Sequence, residues 1–542
     1  MTQGRVEGGE AGAGPAWWQR GVIYQVYPRS FQDTDGDGVG DLRGIVRRLD
    51  YLQWLGVDAV WISPFYPSPM DDFGYDVTDH RAVDRAYGSL VDFDRIVAEG
   101  HARGIRVIVD YIPNHTSWRH PWFTQSRAAR HNLKRDWYVW RDPAPGGGPP
   151  NNWLSAFGGS AWQWDAPTEQ YYLHTFLCEQ PDLNWRNTAV EVEMLDVLRF
   201  WLERGADGVR VDAIQVVMKD EQFRDNPPNP AYREGVDDPY DALLRQYSAD
   251  RPEVHRLIAR MREVVEGYGD RVLIGEIYNE VERMMAYYGE DGRGVHFPYN
   301  FQLIKLPWNA RTLDAAIRRY ERLLPPGAWP NWVLGNHDRH RIASRVGPAQ
   351  ARVAAMLLLT LRGTPTIYYG DEIGMHDVQI PPDRVQDPWE KNLPGRGLGR
   401  DPERTPMQWS AEPGADFTTG EPWLPLAGDY RVVNVAAQRV DPGSMLALHR
   451  ALLALRRREP ALSVGDWAPV DAEGDVLAWL RTHGDSRFLV ALNLGAEPAT
   501  LEFDGAGEVA LGTLAGAEGA RVGGTIELRG DEGVIVRVGG SE

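Results

Sequence analysis

A chain of 542 residues is long enough for a large core and more than one domain. Its 43% hydrophobic and 25% charged residues exclude a mainly disordered protein. The formal net charge of −19 argues against a nucleic-acid partner, whose phosphates are held by Lys and Arg stripes.

Residues 1–16 are Gly-rich and read as a disordered lead. They lack the apolar core of a secretory signal, and the one cysteine, Cys178, has no intramolecular disulfide partner. Both features point to a cytoplasmic protein. No stretch approaches 18 apolar residues without charge, so no membrane partner is expected. Short apolar, β-branched runs follow, each ending in polar residues. They are Val22-Ile23-Tyr24-Gln25-Val26-Tyr27, Ala59-Val60-Trp61-Ile62, Val107-Ile108-Val109-Asp110 and Gly208-Val209-Arg210-Val211-Asp212. Further runs are Val272-Leu273-Ile274-Gly275-Glu276, Trp332-Val333-Leu334 and Thr366-Ile367-Tyr368-Tyr369, with the weaker Phe297-Pro298-Tyr299-Asn300 as a sixth strand. Continuous apolar runs suit strands covered on both faces. Amphipathic stretches alternate with them, among them residues 42–55, 93–104 and 190–204.

Eight strands fit an α/β fold, a (β/α)8 TIM barrel spanning residues 17–113 and 179–460. Two breaks interrupt the pattern. Residues 114–178 are rich in Trp, Gly and Pro, read as non-helical, and form an inserted subdomain after the third strand. A late insert covers about residues 375–426. From residue 461 to 542, short alternating runs with frequent Gly indicate a C-terminal antiparallel β-sandwich.

Barrels place their chemistry at the carboxyl ends of the strands, where Asp212, Glu276 and Asp338 fall. A lone acid is more often a cap or a solvated charge; three at strand ends describe a shared bowl. Two carboxyl groups are what glycosidic cleavage requires, one to attack or stabilise C1 and one to protonate the leaving oxygen. Arg210 lies two residues before Asp212, so strand alternation puts both side chains on one face. An arginine there favours the ionised carboxylate. Separately, Asp33, Asp35, Asp37 and Asp41, interleaved with glycines and with Val39 offering a carbonyl, read as a structural loop for Ca2+, with Mg2+ as the alternative ion. Gly44 stands where an EF-hand needs Glu, and a strand precedes the loop, so an EF-hand is rejected.

The ordered set of motifs resembles the α-amylase superfamily, glycoside hydrolase family 13, in its α-glucosidase and oligo-1,6-glucosidase branch. The motifs are residues 110–115 (Asp-Tyr-Ile-Pro-Asn-His), 180–184 (Gln-Pro-Asp-Leu-Asn), 208–213 (Gly-Val-Arg-Val-Asp-Ala), 274–276 (Ile-Gly-Glu) and 336–338 (Asn-His-Asp). The resemblance implies that Asp212 is the nucleophile, Glu276 the acid/base and Asp338 the residue gripping sugar hydroxyls. It implies that Arg210 keeps Asp212 ionised and that His115 and His337 hydrogen-bond the sugar. Tyr75 would stack on the terminal glucose, and Asp76 would pair with Arg404, with Arg400 as rival, to wall off the non-reducing end. Phe157 and Phe176 complete the substrate-binding set. Ala213, where relatives favouring α-1,6 bonds carry Val, implies α-1,4 preference. Many relatives have an aromatic where Val209 stands, which bears on acceptor preference only.

The expected activity is therefore an exo-acting, retaining α-glucosidase working on small α-glucosides, as a monomer or homodimer. A glucosyltransferase would use the same acids, sucrose and trehalose being possible donors. A non-catalytic barrel ranks low because the acids are retained.

Overall fold

The computed structural model describes residues 14–539, so most of the expected N-terminal lead lies outside the described residues. Eight parallel strands form the central sheet: β1 (Ile23–Val26), β2 (Ala59–Ile62), β3 (Arg106–Tyr111), β4 (Gly208–Val211), β5 (Val272–Ile277), β6 (Phe297–Asn300), β7 (Asn331–Val333) and β8 (Thr364–Tyr368). They run in the order β7-β8-β1-β2-β3-β4-β5-β6. Between β6 and β7 the barrel is drawn together by a side chain, Asn331 Oδ1 accepting from Asn300 N at 3.3 Å. Nearly every strand residue is buried, which explains why the runs lack polar alternation.

Helices cover the outside, and their ends follow local chemistry. In Leu42–Leu55 the Asp41 carboxylate accepts from Gly44 N, while Gly56 closes the helix at φ 103 with its N–H on Leu52 O. Thr188–Glu203, Ala310–Leu323 and Met445–Arg458 start on Asn187, Asn309 and Ser444 in the same manner.

Strand register decides which residues reach the mouth together. Asp110 lies opposite Arg210, and Val211 opposite Gly275. Continuing that pairing by one residue brings Asp212 and Glu276 out side by side. Gly275 permits it, because a Cβ there would come within 2.9 Å of Val295 Cγ1.

Residues 114–178 carry a three-stranded antiparallel sheet in the order Trp140–Arg141, Gln170–Leu173, Trp162–Asp165. Contrary to the non-helical reading, they also hold the helix Pro121–Ala128. Pro121 sits where a missing N–H costs nothing, and His120 caps Trp122 N. A third break went unread. Between β4 and the helix Val254–Glu266, residues 212–253 form a long excursion with only short 3-10 turns.

The C-terminal antiparallel unit is one hydrogen-bonded sheet of six strands. Its long strand Ala499–Gly512 shifts register between Phe503 and Ala506 and between Val509 and Leu511. These shifts let the sheet curve around its own apolar core of Leu489, Leu501, Ile526 and Val536. Two buried arginines join it to the barrel with no carboxylate partner among the described residues. Arg481 donates to Thr360 O, Leu462 O, Ser463 O and Gly465 O at 2.5–3.1 Å. Arg456 donates to Leu359 O, Leu462 O and Gly363 O. Arg481→Ala removes a donor from four carbonyls, of which Leu462 O keeps Arg456 and Thr360 O keeps the Trp479 indole, and is expected to cost about 3 kcal/mol, read as a lowered urea midpoint. Arg481→Met, which keeps volume, should lose less than the alanine variant if packing shares the role.

Candidate active site

A cavity of about 200 Å³ opens at the C-terminal mouth of the barrel. Eight of the sequence-derived residues line it: Tyr75, His115, Phe157, Phe176, Asp212, Ala213, Glu276 and Asp338. Its base is a buried charge cluster. Arg210, 1% exposed, donates through Nη1 to Asp110 Oδ1 at 2.6 Å and Asp212 Oδ1 at 2.8 Å. Its Nη2 meets Glu276 Oε1 at 2.7 Å. One planar fork thus holds carboxylates from β3, β4 and β5.

Burial raises the Asp212 carboxyl well above its ordinary range; Arg210 opposes this, and the charges of Glu276 and Asp110 add to it. Burial likewise brings Asp110 up to about 6, against the pull of Arg210. Arg210 opposes both shifts without cancelling them.

Ala213 turns the chain away from Asp212 in the left-handed region, φ 42, ψ 39. Its N–H is thereby aimed at Glu276 Oε2, at 2.8 Å. Such a conformation in a residue with a side chain costs on the order of 1 kcal/mol and is typical of functional sites.

The opposite wall is set by His337 and Asp338. Tyr75 stacks on His337 with centroids 5.4 Å apart and planes 3° apart, and its hydroxyl lies 2.7 Å from Nε2. Gln25 Nε2 donates to His337 Nδ1 at 2.8 Å, so Nε2 carries the imidazole proton. Burial holds this ring neutral, its pKa lowered to about 3. His337 therefore lies beneath Tyr75, outside the cavity lining. His115 is also kept neutral by burial, at about 4. Burial raises the Asp338 carboxyl, but His337, Arg400 and Arg404 outweigh it and hold the group far below the usual range.

The acid–arginine wall is made by Arg400, the rival named beside Arg404, and by Asp72 in place of Asp76. Arg400 Nη2 contacts Asp72 Oδ1 at 2.7 Å, and both line the cavity. Asp76 does not meet Arg404. Its oxygens accept from the Ser68 hydroxyl and from the amides of Asp71 and Asp72, bracing the loop from behind. Phe73 at φ 47 and Gly74 at φ 105 reverse the chain between Asp72 and Asp76, which sends the two acids opposite ways. Arg404 supports Asp338 at 2.8 Å and His337 O at 2.6 Å from outside the lining.

Other lining residues escaped the sequence reading. Asp238, Tyr240, Asp241 and Arg245 come from the unread excursion, while Tyr278, Lys305, Arg339 and Trp389 come from elsewhere around the mouth. The run Asn226-Pro227-Pro228-Asn229-Pro230 was the available signal for that excursion.

In the loop after β1, Asp33, Asp35 and Asp37 bring carboxylate oxygens within 4.8 Å of one another. Asp33 is also an anchor, accepting from the amides of Asp35, Gly36 and Gly38 and from the Thr418 hydroxyl. Asp41 stands apart from this triad. Oδ1 caps Gly44 N, and Oδ2 takes the amide and hydroxyl of Thr34. Val39 donates its amide to Asp37 Oδ1 at 2.8 Å. Three converging carboxylates form an all-oxygen donor set that suits a hard cation.

Comparison with known proteins gives the family of the chain. The family described as alpha amylase, catalytic domain, matches residues 25–465. A probable alpha-glucosidase of Rhizobium meliloti (strain 1021) is 43% identical over 90% of this chain and 91% of its own. The solved alpha-glucosyl transfer enzyme XgtA superposes with a TM-score of 0.92 at 43% identity, covering 97% of this chain and all of that one (100%). The trehalulose synthase MutB from Pseudomonas mesoacidophila MX-45 does so with a TM-score of 0.90 at 36% identity, covering 97% and 100% of the two chains.

Because the Asp110 charge raises the Asp212 carboxyl, Asp110→Asn should make Asp212 more acidic. Protonation of Asp212 would then need lower pH, so the acidic limb of the pH–activity profile moves downward. A limb that stays in place, or moves up, contradicts this coupling.

Proposed function

The chain belongs to the alpha-amylase family of glycoside hydrolases, and on that premise we propose that it is an exo-acting, retaining α-glucosidase. The observation carrying this reading is the Arg210 fork holding Asp212 and Glu276 at 2.8 and 2.7 Å at the base of a cavity. Carboxylates spanned by one guanidinium are too close to leave room for an attacking water between them and the sugar, which favours retention.

In this mechanism Asp212 Oδ attacks C1 as the C1–O bond breaks, and Glu276 delivers its proton to the departing oxygen. Water then attacks the glucosyl-enzyme, giving its proton to Glu276 and releasing Asp212. Asp338, held ionised by two arginines, would accept from sugar hydroxyls, and Tyr75 would present its face to the ring. The Asp72–Arg400 pair closes one end of the cavity, which supports exo action on short chains. Ala213 beside the nucleophile supports α-1,4 over α-1,6 bonds.

Transfer to a sugar acceptor is the second reading, favoured by the likeness to XgtA and by the polar excursion that crowds the mouth with Tyr240 and Arg245. A cytoplasmic location and action as a monomer or homodimer belong to the same proposal. Among the described residues no helix is long and apolar enough to cross a membrane.

Maltose and malto-oligosaccharides should release glucose faster than isomaltose, with α-glucose appearing first by NMR. Asp212→Asn should lose more than about a thousandfold in kcat. Early β-glucose, or a parent-like rate in that variant, sinks the reading. Oligosaccharide products outrunning glucose at high maltose would select the transferase.

We further propose that Asp33, Asp35 and Asp37 hold Ca2+, or Mg2+, as a structural ion; it would supply charge to the loop and take no part in bond cleavage. Ca2+ should raise Tm and chelation lower it, with the rate at moderate temperature unchanged. Asp35→Asn should make Tm indifferent to both.

A further inference from the structure

A second cluster of metal-ligating atoms lies on the rim, outside the cavity and unused by the chemistry above. His340 follows β7, Asp377 follows β8, and Glu403 ends the short turn Asp401–Glu403. Their ligand atoms all lie within 4.8 Å of one another. His340 Nδ1 is 2.9 Å from Asp377 Oδ2 and 3.7 Å from Glu403 Oε2. Donors around one tetrahedral ion with bonds of about 2.1 Å stand roughly 3.4 Å apart, so these separations bracket the spacing required.

Glu403 supplies the independent observation. It is 1% exposed, and its Oε2 is a buried oxygen with no hydrogen-bond partner. A carboxylate oxygen directed at an imidazole and a second carboxylate, with nothing bonded to it, is costly unless a proton or cation satisfies it. The other two ligands are already aimed. Asp377 is fixed by Arg341 N on Oδ1 at 2.9 Å, leaving Oδ2 for the cluster. The His340 ring is half exposed, which leaves an entry path and room for a water as a further ligand.

We propose that His340, Asp377 and Glu403 form a binding site for a borderline divalent cation of the Zn2+ class. One imidazole with two carboxylates suits such an ion better than Ca2+, which takes oxygen donors in larger number. The ion would satisfy the unpartnered Glu403 Oε2 and tie together the segments after β7 and β8 with the insert that carries Arg400 and Arg404. The site is independent of the acidic loop after β1, whose donors are all oxygen.

Titrating the metal-stripped full chain with Zn2+, and with Co2+ as a coloured substitute, tests the site. Saturating Ca2+ is kept present to occupy oxygen-only sites. The parent protein and Asp35→Asn should each bind one Zn2+ and develop visible Co2+ bands. His340→Gln, which alters a half-exposed side chain and should fold normally, is expected to weaken Zn2+ binding at least tenfold and lose the Co2+ bands. Asp377→Asn should behave likewise. Absence of binding by the parent protein, or equal stoichiometry and affinity in His340→Gln, overturns the proposal.

Discussion

The structure turns on one buried guanidinium. Arg210 touches three carboxylates from three adjacent strands. Removing ions from water is expensive, and the expense is recovered only where geometry supplies close partners. Here the partners outnumber the cation, so Arg210 holds the cluster together without cancelling the burial that raises the Asp212 and Asp110 carboxyls.

Only a parallel sheet rolled toward closure delivers that arrangement. Neighbouring strands put Asp110 against Arg210 and Val211 against Gly275 in direct register. The side chains of Asp212 and Glu276 then follow from one further step of chain. No loop of comparable length would hold three carboxylates on one fork, because each would need its own ordering of backbone. The helices and the C-terminal sheet keep this register fixed. Arg456 and Arg481 collect the carbonyls between barrel and sheet.

Whatever depended on strands was legible in the sequence. Buried parallel strands are written as apolar runs, and the residue closing each run marks the mouth, so Asp212 and Glu276 could be named by position, while Asp338, four residues past its run, stood out in the Asn336-His337-Asp338 motif. The weak sixth strand, Phe297–Asn300, was legible through the count of eight alone. Loop-borne residues were harder, because their direction depends on a few backbone angles that composition does not encode. Asp72 and Asp76 are separated by four positions, and the reversal at Phe73 and Gly74 decides which one faces the cavity. Arg400 and Arg404 pose the same problem on a turn of 3-10 helix. The excursion 212–253 was missed because its Pro- and Asn-rich middle was absorbed into the gap between a strand and a helix.

The late insert shows how much a single short turn can organise. Arg400 reaches Asp72, Asp387 and Asp338, while Arg404 reaches Asp338 and the His337 carbonyl. Both arginines approach Asp338 from one side, leaving its remaining oxygen toward His337 at 3.4 Å. Asp338 is therefore fixed in place and kept ionised by the same contacts, since each arginine is both a hydrogen-bond donor and a positive charge. The acid residues between them turn elsewhere, Asp401 to the amides of Gln386 and Asp387 and Glu403 to His340. Of the turn and its flanks, Arg400 thus lines the cavity and Glu403 reaches the rim. Any change in the turn's position therefore moves Asp338 and the Asp72–Arg400 wall of the cavity together.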